Sequence, residues 1–243
     1  MKQQLTLLLI AACITLCAFK ITNPVKSPQQ KESPNLLNVG DTLKLKGDKN
    51  LIWQSSDSSI ARVDKEGLVT ALTSGTVLIM ANTKDGKVKY TNEVAVNLIK
   101  NSEFENDLAP WKLLLQKEAK ATVVTDLQDG FNKKAAKIII ETKPANDFEL
   151  ALGQLISLKE GKTYEISFKA KSESKRDIKV VVQQLYPGNA VYFSQKVNLT
   201  EQPNTYKYNF KSAITGSDVR LKFNLGGSDK AIYIDAVFIR ELL

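Results

Sequence analysis

Residues 53–77 read WQSSDSSIARVDKEGLVTALTSGTV, and this stretch decides the fold of the first part of the chain. Short apolar runs alternate with clusters of Ser, Asp and Gly. The pattern predicts strands at residues 52–54, 60–63 and 68–71, with turns at 55–59 and 65–67. Nothing in the stretch provides a nucleophile with its base or a phosphate-binding loop, so it predicts a β-sandwich segment with a structural role.

The same texture continues from residue 36 onward. Runs of Val, Ile, Leu, Phe and Tyr are interrupted by Gly, Asn, Asp or Pro about every 8 to 12 residues, as in all-β sandwiches. No long segment has helical spacing, and the apolar run at 113–115 is too short for a helix. The length beyond residue 35 suits one large β domain or two smaller ones.

The N-terminal residues have the composition of an export signal followed by a linker. Residues 1–19 contain Lys2 and a long apolar run, which is typical of a secretory signal peptide. Residues 10–13, IAAC, resemble a lipobox, so lipidation of Cys13 and ordinary cleavage near Ala18 are both open. A retained anchor is less favoured because the run is shorter than the roughly 20 residues of a membrane span. Residues 20–35 predict a flexible tether, and every alternative places the rest of the chain outside the cytoplasm.

The composition excludes several classes of chemistry. The sequence contains no histidine, which excludes catalysis by Ser-His-Asp or Cys-His systems and His-rich zinc sites. Its two cysteines, Cys13 and Cys17, both lie in the apolar N-terminal run. The formal net charge of +8 is spread over Lys-rich strands and loops. The first explanation for this charge is a solvated protein surface. Binding to an acidic polysaccharide is the second explanation, and binding to a nucleic acid is the last.

Residues 37–97 resemble the bacterial immunoglobulin-like domain of group 2. The resemblance rests on W-x-S-S-D-x-x-I-A-x-V-D-x-x-G-x-V-T-A, followed by G-T-V and a Val-rich strand. It implies an Ig-like β-sandwich over residues 36–99 that acts as a spacer. The resemblance implies structural roles for six residues. Trp53 and Val63 belong to the core, Asp57 and Ser59 close a turn, and Gly67 and Gly75 allow backbone conformations that other residues rarely adopt. The alternative is that the Ser/Asp run is a ligand loop.

Residues 101–241 resemble the carbohydrate-binding modules of families four and nine. The motifs are NSEFE at 101–105, KAAKI at 134–138, QLISLKEGKTYEISFKAK at 154–171, FNLGG at 223–227 and YIDAV at 233–237. The resemblance implies a β-jelly-roll sandwich over residues 100–243 with one concave sheet face. The predicted fold class is therefore all-β, an immunoglobulin-like sandwich followed by a jelly roll.

Alternation along the strands predicts which side chains face the core. Tyr164, Ile166, Phe168 and Ala170 share one face, opposite the polar residues between them. In a second strand, Val219, Leu221, Phe223 and Leu225 point inward while Arg220, Lys222 and Asn224 point outward. In the last strand, Ile234, Ala236 and Phe238 are expected together, opposite Tyr233 and Asp235.

The outward faces provide candidate sugar ligands. A pyranose offers apolar faces to aromatic rings and hydroxyls to polar groups. The predicted stacking residues are Tyr186 and Tyr192, and the predicted polar contacts are Gln183, Gln184, Gln195, Arg220 and Asn224. The alternative is that the aromatic residues complete the core and the glutamines are merely solvated. The chain departs from the family at 148–151, FELA, where many relatives carry Trp-x-x-Gln, so the usual ligand is in doubt.

The resemblance also implies a structural calcium ion. Glu103, Glu105 and Asp235 match the family's metal positions, and backbone carbonyls at 130–133 are expected to complete the oxygen ligands that calcium prefers. The alternative is a set of exposed ion pairs with nearby lysines, which contribute little.

These inferences predict an exported, noncatalytic carbohydrate-binding protein. An Ig-like spacer would present a jelly roll that binds β-glucan, xylan or a related plant or microbial polysaccharide at the cell surface, as an envelope lipoprotein or a secreted protein. Glycoside hydrolysis needs only two carboxylates, but both halves resemble noncatalytic modules. One alternative is an adhesive or structural protein with a protein partner. The other is an accessory part of a glycoside hydrolase system, acting with such enzymes in trans.

Overall fold

The computed structural model of the protein describes residues 33–48, 50–128, 130–186 and 188–243. These residues are organised almost entirely as β-strands, so the predicted all-β class is confirmed. The predictions for residues 1–19, for Cys13 and for most of the linker at 20–35 lie outside the described residues. Within the described ranges, no helix has the length and apolar character needed to cross a membrane.

The first domain is a sandwich of two small sheets. Its strands are β1 (Asn35–Leu37), β2 (Thr42–Lys44), β3 (Ile52–Ser55), β4 (Ala61–Val63), β5 (Leu68–Ala71), β6 (Gly75–Asn82) and β7 (Val88–Val96). One sheet has the order β1-β7-β6-β3 and the other β2-β5-β4. The strands predicted at 52–54, 60–63 and 68–71 therefore form, with β4 beginning one residue later than predicted.

The quoted stretch folds around Trp53. Its ring packs against the core of the first domain and covers Gly67, where an added Cβ would lie 2.8 Å from Trp53 Cε2. Gly67 also has a φ of 81°, which side chains rarely adopt. At the preceding turn, the Ser59 backbone N–H and hydroxyl donate to Asp57 Oδ1 at 2.9 and 2.6 Å. The predicted turn-closing role of Asp57 and Ser59 is thus confirmed.

The second domain is a sandwich of two five-stranded sheets. Its strands are β8 (Lys112–Leu115), β9 (Lys120–Leu127), β10 (Lys134–Thr142), β11 (Leu150–Leu158), β12 (Thr163–Ser172), β13 (Arg176–Gln184), β14 (Val191–Leu199), β15 (Asn204–Lys211), β16 (Gly216–Asn224) and β17 (Ile232–Glu241), with one 3-10 turn at Asp147–Glu149. The front sheet has the order β14-β13-β16-β11-β8, and the back sheet β15-β12-β17-β10-β9.

The core lies between the front and back sheets and follows the predicted alternation. The inward residues predicted for β12 and β16 are all buried in one cluster: Tyr164, Ile166, Phe168, Ala170, Val219, Leu221, Phe223 and Leu225. Phe104 and Trp111, from the segment before β8, join it with ring centroids 5.4 Å apart. The buried face of β16 fixes Arg220, Lys222 and Asn224 on the outside of the front sheet.

The alternation predicted for β17 is wrong beyond Asp235. Ile234 is in the core, but Ala236 is exposed and Val237 takes the next core position. Ala236 has a φ of 48°, and the pairing of β17 with β12 shifts register there. This bulge inserts one residue and reverses the facing of the later residues of β17, so Phe238 lies on the outside.

The two domains are joined by buried contacts as well as by the chain. Residues 33–243 form one compact unit, and Ile99 packs into the second domain's core. Asn97 accepts from the Ile239 backbone N–H at 2.9 Å and donates to the Val237 carbonyl at 3.0 Å. Arg240 binds Glu93 of the first domain and Glu165 of its own domain. These contacts restrict the motion of the first domain against the second.

Candidate functional site

The outer face of the front sheet is polar and basic. Its strand positions are Lys112 and Leu114 from β8; Ala151, Gly153, Leu155 and Ser157 from β11; Asp218, Arg220, Lys222 and Asn224 from β16; Asp177, Lys179, Val181 and Gln183 from β13; and Ser194, Lys196 and Asn198 from β14. None of these described positions carries an aromatic ring. The face can therefore offer hydrogen bonds and charge, and among the described residues the one ring beside these positions is Tyr192, at the register shift of β14.

Small residues form the floor of this face. Ala151 pairs with Asn224 and Gly153 with Lys222 in the β11–β16 register. A Cβ on Gly153 would lie 3.0 Å from Arg220 Cδ and 3.1 Å from Lys222 Cβ. The absence of a side chain at Gly153 thus lets the aliphatic stems of two cations lie against the sheet.

Asn224 is the most unusual polar residue on the floor. It is only 6% exposed, and its Oδ1 atom has no hydrogen-bond partner among the described residues. A buried acceptor without a donor costs free energy, and native proteins contain few of them. Because Asn224 lies on the outer face, a donor from a bound molecule could satisfy this oxygen.

Two cavities lie on either side of Asn224. One, of about 300 Å³, is lined by Leu98, Lys100, Pro110, Lys112, Gly153, Gln154, Leu155 and Arg220. The other, of about 400 Å³, is lined by Asp147, Lys175, Arg176, Asp177, Ile178, Lys179, Lys196, Gly226, Gly227 and Ser228. Together with the floor between them, they form an extended concave region on the outer face of the front sheet.

The predicted sugar ligands do not all lie on this face. Gln183, Arg220 and Asn224 do. Gln195 pairs with the core residue Val180 and so faces the core side at the sheet edge. Tyr186, in the β13–β14 turn, is 78% exposed.

Tyr192 and Gln184 contact each other near that turn. The Tyr192 hydroxyl donates to Gln184 Oε1 at 2.7 Å, and Gln184 Nε2 donates to Asp218 Oδ2 at 3.4 Å. Tyr192 is the extra residue where the β13–β14 register shifts. This polar group lies at one end of the front sheet, away from its floor.

One of the three predicted metal residues, Asp235, is a buried carboxylate. Asp235 is 6% exposed, and its Oδ1 atom has no partner among the described residues. Burial, together with the nearby charges of Glu103 and Glu105, raises the pKa of Asp235 to about 6. A buried carboxylate with two glutamates nearby offers oxygen ligands of the kind that a hard cation prefers.

The other predicted metal ligands already have partners. Lys133 Nζ donates to Glu103 at 2.6 Å, the Lys134 N–H donates to Glu105 at 3.4 Å, and Lys169 Nζ donates to the Gly130 carbonyl at 2.8 Å. Within the described ranges, no three acidic side chains are close enough together to hold a metal as they stand. The donor chemistry fits calcium, and binding would require Lys133 to release Glu103.

Comparisons with known proteins agree with this architecture. The carbohydrate binding domain family matches residues 96–231, and the bacterial Ig-like domain of group 2 matches residues 20–94. A solved family 4 carbohydrate-binding module is 30% identical, with a TM-score of 0.51, and the match covers 59% of this chain and 99% of that module. The second N-terminal cellulose-binding domain of Cellulomonas fimi β-1,4-glucanase C is 23% identical, with a TM-score of 0.48, over 61% of this chain and 95% of that domain.

A shorter match comes from an uncharacterized protein of Clostridium acetobutylicum. It is 54% identical over 50 residues, which are 20% of this chain and 13% of that protein. The chain therefore matches only a small part of that relative's length.

Proposed function

Because the chain belongs to the carbohydrate binding domain family, we propose that its second domain binds a polysaccharide on the outer face of the front sheet. The observation that carries this proposal is the buried Asn224 Oδ1 without a donor. Sugar hydroxyls are abundant donors, and one of them would satisfy this oxygen. The cavities on either side of Asn224 give a linear chain room to continue in both directions.

The proposed action is binding without catalysis. Among the described residues, three acidic side chains lie on or beside the outer face, and each is already engaged: Asp147 with Lys179 and Asp177 with Lys196 in salt bridges, and Asp218 with Gln184. A glycoside hydrolase needs one carboxylic acid and one carboxylate facing each other across the scissile bond. The first domain then serves as a spacer that holds the binding face away from the cell.

Export to the cell surface is part of the same proposal. It rests on the signal-like residues 1–19 and on Cys13 as the candidate lipidation site. Fractionation of cells expressing the full chain, with C13A as the control, tests it. A lipoprotein would move from the membrane fraction to the medium in C13A, whereas a cytoplasmic wild-type protein would contradict export.

Calcium binding by Glu103, Glu105 and Asp235 is proposed as a structural feature of the second domain. The unpartnered Asp235 oxygen and the two nearby glutamates support it. Bound calcium would neutralise these carboxylates and tie the segment before β8 to β17. The ion has no role in the proposed sugar contacts.

The glycan-binding proposal is tested with the full chain on a polysaccharide array, comparing wild type with N224A. Removing an unsatisfied buried acceptor should leave the melting temperature unchanged or raise it. Losing a hydrogen bond to the ligand should weaken glycan binding about tenfold, at about 1.4 kcal/mol. N209A, at an exposed position of β15 in the back sheet, is the control. Full binding by N224A, or binding of no glycan by wild type, would refute the proposal.

A further inference from the structure

We infer that the polysaccharide is anionic and that its carboxylate or sulfate groups are held by a basic cluster around Gly153. The basic cluster consists of Lys112, Arg220 and Lys222. The inference rests on the proposed function, because it names the class of glycan bound at the same face. It departs from the neutral β-glucans and xylans expected from the sequence.

The register of three strands assembles the basic cluster. Gly153 pairs with Lys112 of β8 on one side and with Lys222 of β16 on the other. Arg220 lies two residues from Lys222 on the same strand face, beside the aliphatic Leu155. Neighbouring strands are about 4.8 Å apart and same-face residues about 7 Å apart, so the three cations surround one small patch of sheet.

These three cations have no carboxylate partner, unlike the other two lysines on the outer face of the front sheet. Lys179 and Lys196 bind Asp147 and Asp177 at 2.7 and 2.6 Å. Among the described residues, none of the cluster's three side chains forms a salt bridge with a carboxylate. Asp147 and Asp177 are thus paired with the other two lysines, and Asp218 contacts Gln184. The charge of Asp147 acts on Lys222 from a distance, without a salt bridge between them.

The partial burial of Lys222 increases the free-energy cost of leaving its ammonium group without a carboxylate partner. Lys222 is half-buried, and burial together with the Arg220 charge lowers its pKa, against a smaller opposing effect of the Asp147 charge. A half-buried ammonium beside a like charge gains more from an anion than an exposed lysine does. An anionic group between Lys222 and Arg220 would relieve both effects with charge-assisted hydrogen bonds.

The chemistry of the remaining floor also favours an anionic sugar over a neutral one. Aromatic rings stack on the apolar faces of neutral sugars, but the floor formed by Ala151, Gly153 and Asn224 has no ring beside it in the strand register of the described residues. Tyr192 of β14 lies at one end of the sheet, hydrogen-bonded to Gln184. Asn224 supplies an acceptor for a sugar hydroxyl, and the cluster supplies donors for the acid group. These two contacts, on adjacent same-face positions of β16, match a sugar that carries both groups.

The experiment measures binding of the full chain to polymers that differ only in charge. Polygalacturonate is compared with its methyl-esterified form, and alginate and chondroitin sulfate separate carboxylate from sulfate recognition. K112Q/K222Q removes two cluster charges. K207Q/K211Q removes two exposed charges from β15 of the back sheet as the matched control. We expect binding to at least one acidic polymer, weakened about tenfold in K112Q/K222Q and little changed in the control, with affinity falling as salt increases.

Several outcomes would overturn the inference. If wild type binds neutral glycans as tightly as acidic ones, and K112Q/K222Q has no effect, the ligand class is wrong while the glycan-binding proposal survives. Equal loss in both double variants would show that only net charge matters. Equal binding of polyglutamate or single-stranded DNA at the same charge density would show that no sugar is recognised. If no glycan binds at all, both proposals fail.

Discussion

Arg240 connects the two domains, and its replacement tests how strongly they are coupled. Its Nη1 lies 2.9 Å from Glu93 Oε1 in the first domain, and its Nε lies 3.0 Å from Glu165 Oε1 in the second. The side chains of Arg240, Glu93 and Glu165 are only 12%, 8% and 19% exposed. In R240Q, two nearly buried carboxylates lose the cation that they share.

The expected cost is set by the charges left behind. Removing one partner of a buried ion pair typically costs about 3 to 5 kcal/mol, and the partial exposure of Glu165 favours the lower value. A loss of about 3 kcal/mol lowers the melting temperature of a protein of this size by about 6 to 12 °C. Because Glu93 belongs to the other domain, the single unfolding transition expected for wild type should separate into two.

Calorimetry and urea unfolding of the full chain measure both effects. R62Q, at an exposed position of β4, is the control and should change stability by less than about 0.5 kcal/mol. The triple variant E93Q/E165Q/R240M should recover much of the loss, because it removes the buried charges together. If R240Q costs no more than R62Q, Arg240 does not couple the domains and the first domain is a loosely attached spacer.

Three further predictions concern single features of the fold. Gly67 and Gly86 have nearly equal φ values of 81° and 83°, but of these two only Gly67 faces Trp53. The variants G67A and G86A therefore separate the effect of φ from the effect of the ring contact. The free energy of unfolding should fall by about 1 kcal/mol in both variants, and by about 1 to 3 kcal/mol more in G67A because of the ring contact. Urea unfolding measures both values, and equal losses would exclude the contact with Trp53. Hydrogen bonds from Lys117 and Asn146 lower the pKa of Glu149 to about 2. The stability they add is complete above the usual value of 4.5 and is lost as the pH falls toward 2, so E149Q should lower the melting temperature at pH 7 but not at pH 2, and an equal effect at both would contradict this. Calcium at 100 times its Kd should stabilise wild type by about 2.7 kcal/mol relative to chelator, whereas D235N should not respond. A wild-type melting temperature that ignores calcium would refute the metal site.

The sequence predicted the first domain well because its signals are local. The turn at Asp57 is closed by Ser59, two residues away, and Gly67 provides the positive φ of the next turn. Each turn therefore depends on residues that are neighbours in the sequence. Alternation predicted β12 and β16 for a similar reason, since one face of each strand is buried without interruption.

The error in β17 has a physical cause that residue types do not reveal. Ala236 adopts a φ of 48°, a conformation that favours Gly or Asn. Alanine gives no signal for such a bulge, so strict alternation predicts the wrong facing for the residues that follow Asp235. The contacts that fix the bulge come from elsewhere in the chain: the Val237 N–H donates to the Ser102 carbonyl at 3.1 Å.

The basic cluster could be predicted only in part. Alternation placed Arg220 and Lys222 on the outside of β16, but their meeting with Lys112 depends on strand register across Gly153. Lys112 lies far from Arg220 and Lys222 in the sequence, so the net charge of +8 gives no sign that these three cations meet. Only the pairing of β8, β11 and β16 shows that part of this positive charge is concentrated on the outer face of the front sheet.

The departure at residues 148–151 gains a structural meaning from the same register. Ala151 occupies the position at which many members of the resembling family carry glutamine, and it pairs with Asn224 on the floor. A glutamine there would bring amide donors next to Asn224 Oδ1, whereas alanine leaves that oxygen without a partner. The front sheet therefore lacks one amide but keeps a buried acceptor, with unpaired cations close by on the same face. A ligand that replaces the missing amide must donate a hydrogen bond to Asn224 Oδ1. An anionic sugar provides this donor in a hydroxyl group, and it also provides a negative charge to pair with Lys222 and Arg220.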